Sequence, residues 1–195
     1  DRHSAYFLHY LHVREAALSH QQQTTAMEAI RQEIENVRIA WNHAVTQIHS
    51  TNIDRALDSL YNFYRISSRF QEGVDMMQHA VEQLQSSNTS DTILLRCIAR
   101  HSSFRTSLGD YGPARKLVQK SLAMARHHQN AREIAFSLNV LGNIVDTQGE
   151  RDEARQLFRE SLAVSQKSGN LAGEGGSLYN LGWIAIRQGS YEAAQ

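Results

Sequence analysis

The chain has 195 residues, 41% of them hydrophobic, with 20 Lys and Arg balancing 20 Asp and Glu. That length and apolar content support a packed core and exclude a disordered polymer, and the balanced charge excludes a global pull toward nucleic acid or an anionic membrane. A single cysteine, Cys97, cannot close an internal disulfide, and it sits between apolar neighbours in ILLRCIA, which predicts a buried, inert thiol.

The first residues, DRHSAYFLHY, lack the basic start and apolar stretch of a signal peptide, and no apolar run is long enough to span a bilayer, so a cytoplasmic location is expected. The chain also starts without Met, and a fragment of a longer protein is expected. Residues 1–50 read as a helical hairpin: SAYFLHYLHVREAAL and AMEAIRQEIENVRIAWNHAV each carry a helical stripe, and the polar turn SHQQQTT separates them.

From residue 51 a repeat takes over. Gly109, Gly149 and Gly189 are spaced by forty, as are Ala114, Ala154 and Ala194; Leu141-Gly142 recurs as Leu181-Gly182, and Ser121-Leu122-Ala123 as Ser161-Leu162-Ala163. A fainter copy upstream matches Phe70, Gly73 and Ala80 to Tyr111, Ala114 and Ser121 at a step of forty-one. The units run from about 53–89, 93–130 and 131–170, with a last one, 171–195, cut short.

Each unit reads as two helices. Ile134, Leu138, Leu141 and Val145 form one stripe that ends at Gly149, and Ala154, Leu157, Phe158 and Leu162 form the next. Asp110 and Ser190 stand where N-caps belong, and Pro113, the only proline, falls in the first turn of its helix, where a missing N–H costs little. No segment shows sustained two-residue alternation. The fold class is therefore all-α, with about nine helices.

The run Leu141, Gly142, Gly149, Ala154, Phe158 and Ser161, repeated from Leu181 and Gly182 to Gly189 and Ala194, resembles the tetratricopeptide repeat. That resemblance implies a right-handed α-α superhelix of antiparallel helix pairs, in which small residues such as Gly142, Ala154 and Ser161 let helices approach closely. The unit from Ile93 departs from the pattern, with His101 and Ser102 in the Leu-Gly places, and the unit from Ile53 departs further, with Leu60 and Tyr61. A forty-residue period in place of the usual thirty-four implies longer helices, as in repeats that resemble those of kinesin light chain. Residues 1–85, through YFL, ENVRIAWNHAV and EGVDMMQHAV, resemble the helical stretch that follows the nucleotide-binding core in STAND-type signalling ATPases.

Motifs for chemistry are missing from the sequence. It holds no G-x-x-x-x-G-K-[ST], no G-x-G-x-x-G, no H-E-x-x-H and no paired-cysteine metal spacing, so no cofactor and no metal are expected and the fragment reads as non-catalytic. His9 with His12, and His127 with His128, are pairs with no third ligand at fixed spacing. Glu150, Asp152 and Glu153 suit the positive end of a helix dipole.

The tetratricopeptide resemblance implies a concave face lined by the first helix of each unit. It assigns to that face Asn62 and Arg65, with Arg55; Arg96 and Arg100, with Ser103; Asn139 and Asn143, with Phe136; and Tyr179, Asn180, Trp183 and Arg187, with Asp58 and Asp146 among few acids. Asn can grip a peptide backbone, Arg forks onto carboxylates, and Trp or Tyr offers rigid contact area. Trp183 packed between hairpins, with the Asn residues merely solvated, is the alternative. The function implied is a protein- or peptide-binding module, the ligand including a segment of its own parent protein, with no nucleic-acid or membrane partner. Within a larger signalling or transcription-regulating protein it would be the sensor or regulatory arm; standing free, it would be a scaffold that assembles a complex.

Overall fold

The computed structural model describes residues 2–19, 22–87, 91–187 and 189. Among them are ten α-helices, one 3-10 turn and no strand, and the chain divides into two compact units, Asp1–Arg100 and His101–Gln195.

Unit 1 holds α1 (Arg2–His12), α2 (Gln23–Gln32), α3 (Ile34–Thr46), α4 (Ser50–Ile66), α5 (Phe70–Gln85) and most of α6 (Asp91–Ser107). The sequence pattern predicts nine helices; there are ten because the second one breaks at Glu33. Its backbone sits at φ −105° and ψ 9°, and its amide turns back to the Ile30 carbonyl three residues before it. The first helix likewise stops at His12, and a 3-10 turn, Ala16–Ser19, leads on from it. These breaks let α1 lie against both α3 and α4, where Leu8 and Leu11 join Trp41, Leu57 and Phe63 in the core and Ser4 Oγ donates to the Ala40 carbonyl at 2.8 Å.

Unit 2 holds the end of α6 with α7 (Tyr111–His127), α8 (Ala131–Thr147), α9 (Arg151–Ser168) and α10 (Leu171–Arg187). Its core is the predicted stripe: Leu138, Leu141 and Val145 of α8 pack with Ala114, Val118, Ala154 and Phe158, while Ile134 and Leu157 are partly buried at the edge. Gly142 faces Phe158 so closely that an added Cβ would lie 2.4 Å from the ring. A side chain there would push the helices apart.

One turn recurs in both units. Ile48, Ser68, Gly109, Gln129, Gly149 and Gly169 all have positive φ, and in each case the next residue's amide reaches back five residues to a helix carbonyl, from His49 to Ala44 at 2.8 Å through Asn170 to Ser165 at 2.9 Å. This is the Schellman closure, and it fixes a left-handed residue just after α3, α4, α6, α7, α8 and α9. The glycines were legible as turns; Ile48, Ser68 and Gln129 take the same conformation without that signature. At the helix starts, Asn130 Oδ1 caps the Glu133 amide at 3.2 Å and Asn170 Oδ1 caps that of Gly173 at 3.1 Å. Asp110, expected to cap α7, does not; its carboxylate takes the Arg105 guanidinium instead. Pro113 is the third residue of α7, as expected, and Ser190 and Ala194 lie outside the described residues.

Candidate functional site

In unit 1 the five assigned residues separate into two kinds. Arg55 and Arg65 are exposed on α4 and Asn62 is half-buried. Arg96 and Arg100, expected on an open inner surface, are only 8% and 2% exposed. The reason is Asp58, itself buried: its two carboxylate oxygens accept from Arg96 Nη2 at 2.7 Å and Arg100 Nη2 at 2.8 Å, while Arg96 Nη1 also pairs with Asp54. Charges taken out of water need partners of this kind, so these guanidiniums are committed to the α4–α6 contact.

In unit 2 the structure brings Asn139, Asn143, Tyr179, Asn180, Trp183 and Arg187 onto the adjoining helices α8 and α10. Asn139 is a hub. Its Nδ2 donates to Ser161 Oγ at 2.8 Å and Ser177 Oγ at 3.1 Å, and its Oδ1 accepts from Asn180 Nδ2 at 3.3 Å. Ser161 Oγ in turn donates to the Ala135 carbonyl at 2.9 Å. The amide expected to hold a ligand backbone thus ties α8, α9 and α10 together. A second seam of the same register, Ser121 Oγ with Ser137 Oγ at 3.2 Å, joins α7 to α8. Ser121 and Ser161, and Ser137 and Ser177, are forty residues apart, so the small repeat residue supplies a hydrogen bond as well as close approach.

The remaining residues face outward. Asn143 is exposed and makes no side-chain hydrogen bond among the described residues. Tyr179 is 71% and Trp183 51% exposed, so Trp183 is displayed rather than packed. Arg187 Nη1 pairs with Asp146 Oδ2 at 2.7 Å at one end of the face, the carboxylate largely buried and the guanidinium partly exposed. Phe136, one turn from Asn139 on the same helix, is half-buried. Large aromatic area beside an unspent amide and a positioned charge pair is a surface able to bind a chain. Among the described residues no three His, Cys, Asp or Glu side chains cluster as metal ligands, and Cys97 is fully buried. No helix among them is long and apolar enough to cross a membrane.

Residues 136–168 match the sequence family described as the tetratricopeptide repeat. Among solved structures, the chain is similar to that described as "Crystal structure of BtubC (BKLC) from P. vanneervenii", with a TM-score of 0.59 and 15% identity over 94% of this chain and 69% of that one. A likeness at that identity shows the fold alone: an all-α array of tetratricopeptide-like helix pairs. No curated protein matches. The two matches carry the helical repeat and do not bear on the likeness of residues 1–85 to signalling ATPases.

Proposed function

We propose that the chain is a non-catalytic protein- or peptide-binding module whose contact face is the exposed side of α8 and α10. The observation that supports it is the exposure of Tyr179 and Trp183 beside Asn143, because large aromatics shown to water at neighbouring positions are uncommon unless something covers them. Tetratricopeptide repeats generally mediate protein binding, which agrees with the match at residues 136–168. The finer reading is a regulatory arm, in which the ligand is a peptide segment of a partner or of the parent protein and its binding biases an on–off equilibrium.

The test is selection of peptides from a displayed random library against the wild-type chain, followed by titration of a selected peptide. The Asn143→Ala, Trp183→Ala double variant is expected to bind about thirtyfold more weakly or worse, the loss of one interface hot spot, with an unchanged helical circular dichroism signal. Equal binding by the double variant removes this face from the function.

A further inference from the structure

Within unit 1, α3, α4 and α5 enclose a half-open cleft of about 310 Å³. Arg38 and Asn42 line it from α3, Tyr64 from α4, and Asp75, Met76 and His79 from α5, with Glu72 at its side. The polar lining is largely unspent. Arg38 uses only Nη1, 3.2 Å from Glu35 and 3.5 Å from Glu72, so Nε and Nη2 remain open among the described residues. Asp75 uses only Oδ1, which accepts from Gln71 at 2.8 Å. Asn42, His79 and the Tyr64 hydroxyl make no side-chain hydrogen bond among the described residues. Glu72 alone is satisfied, its two oxygens accepting from Arg69 Nε and Nη2 at 2.5 Å each.

At Asn139 and at Asp58 convergent polar groups bond to one another. Arg38, Asn42, Tyr64, Asp75 and His79 line one concavity without bonding to one another, Asn42 and Asp75 reaching solvent, and so are available to a molecule that enters it. The charges have a direction. Arg38 and the Tyr64 hydroxyl are donors on the α3 and α4 side; the phenol, which burial pushes up to about 12, is protonated at neutral pH as any tyrosine is. Asp75 is an acceptor on the α5 side, with Met76 supplying an apolar wall. The volume lies at the lower end of ligand-binding clefts, about 300–1,000 Å³, which favours a small molecule over a nucleotide or a peptide.

We infer that this cleft binds a small zwitterion of the free α-amino acid class. The carboxylate lies on Arg38 and Tyr64, the ammonium on Asp75, and Asn42 and His79 select the side chain. The proposal stands on unit 1 alone and is independent of the binding face on α8 and α10.

It is tested by thermal shift with each standard amino acid at about 10 mM, and by calorimetry on any that stabilise the chain. At least one is expected to bind with Kd below about 1 mM, and its N-acetyl and α-amide derivatives to bind at least about tenfold more weakly, since each blocks one charge. Arg38→Met and Asp75→Asn, both at side chains reaching solvent, are each expected to weaken binding about tenfold while the unliganded melting temperature stays near wild type. If no amino acid raises the melting temperature, if the blocked derivatives bind as well as the free ones, or if both variants bind like wild type, the assignment is wrong.

Discussion

In unit 1 the contact between α4 and α6 is made by charge, with Asp58 holding Arg96 and Arg100; in unit 2 the contact between α8 and α10 is made by neutral groups, with Asn139 holding Ser177 and Asn180. The two hubs are the same repeat position. Asp58 and Asn139 stand one forty-one-residue step and one forty-residue step apart, and Arg96 and Ser177 are related in the same way. The repeat therefore preserves a task, tying the first helix of one pair to the first helix of the next, rather than a residue type. Where an acid and two arginines do it, the surface is used up in the joint. Where amides and serines do it, the joint takes Asn139 and Asn180 of the assigned face, and Asn143 and Trp183 stay displayed.

The sharpest way to break this comparison is to remove each hub in turn. Asp58→Ala removes the carboxylate shared by two buried guanidiniums, leaving Arg96 its pair with Asp54, and is expected to cost about 3–5 kcal/mol in urea unfolding. Asn139→Ala leaves Ser161 and Ser177, which already lie 2.9 Å apart, able to bond each other, and is expected to cost only about 1–2 kcal/mol. If the neutral hub costs as much as the charged one, the distinction fails.

Two further substitutions act within unit 2. Gly142→Ala drives a methyl into the Phe158 ring and is expected to cost about 1–3 kcal/mol by the same unfolding measurement, with part of the loss returned in a Phe158→Leu background. Gln129→Gly acts in the other direction. Gln129 holds the left-handed position at φ 53° that glycine fills at Gly149 and Gly169, so a gain of about 0.5–1 kcal/mol is expected, read as a rise in melting temperature.

The pairing of helices from α4 to α10 was legible in the sequence because turns and close approaches demand particular residues: Gly149 for the left-handed turn, Gly142 for close helix approach, which the structure places against the Phe158 ring. The break at Glu33 was not, since Gln-Glu-Ile carries no breaker and the chain bends there for tertiary packing against α1 and α4. Ile48, Ser68 and Gln129 hid their turns in the same way. At the candidate face the sequence left Trp183 open between display and packing, and only the structure shows it exposed with Asn143 and Tyr179, whereas Arg96 and Arg100 misled, because the Asp58 that buries them lies about forty residues away. Asn139 misled for a related reason: a side-chain amide looks alike in sequence whether it meets a ligand or three serine and asparagine partners. The cleft between α3, α4 and α5 left no sequence signal at all, being assembled from positions on three helices.

The central claim, that the outer face of α8 and α10 is where a partner chain binds, is tested most directly by mapping amide chemical-shift changes when a library-selected peptide is titrated into the labelled protein. The largest changes are expected on residues 136–146 of α8 and 179–187 of α10 and are expected to vanish in the Asn143→Ala, Trp183→Ala variant. Changes concentrated on α7 and α9, with α8 and α10 silent, would contradict the claim.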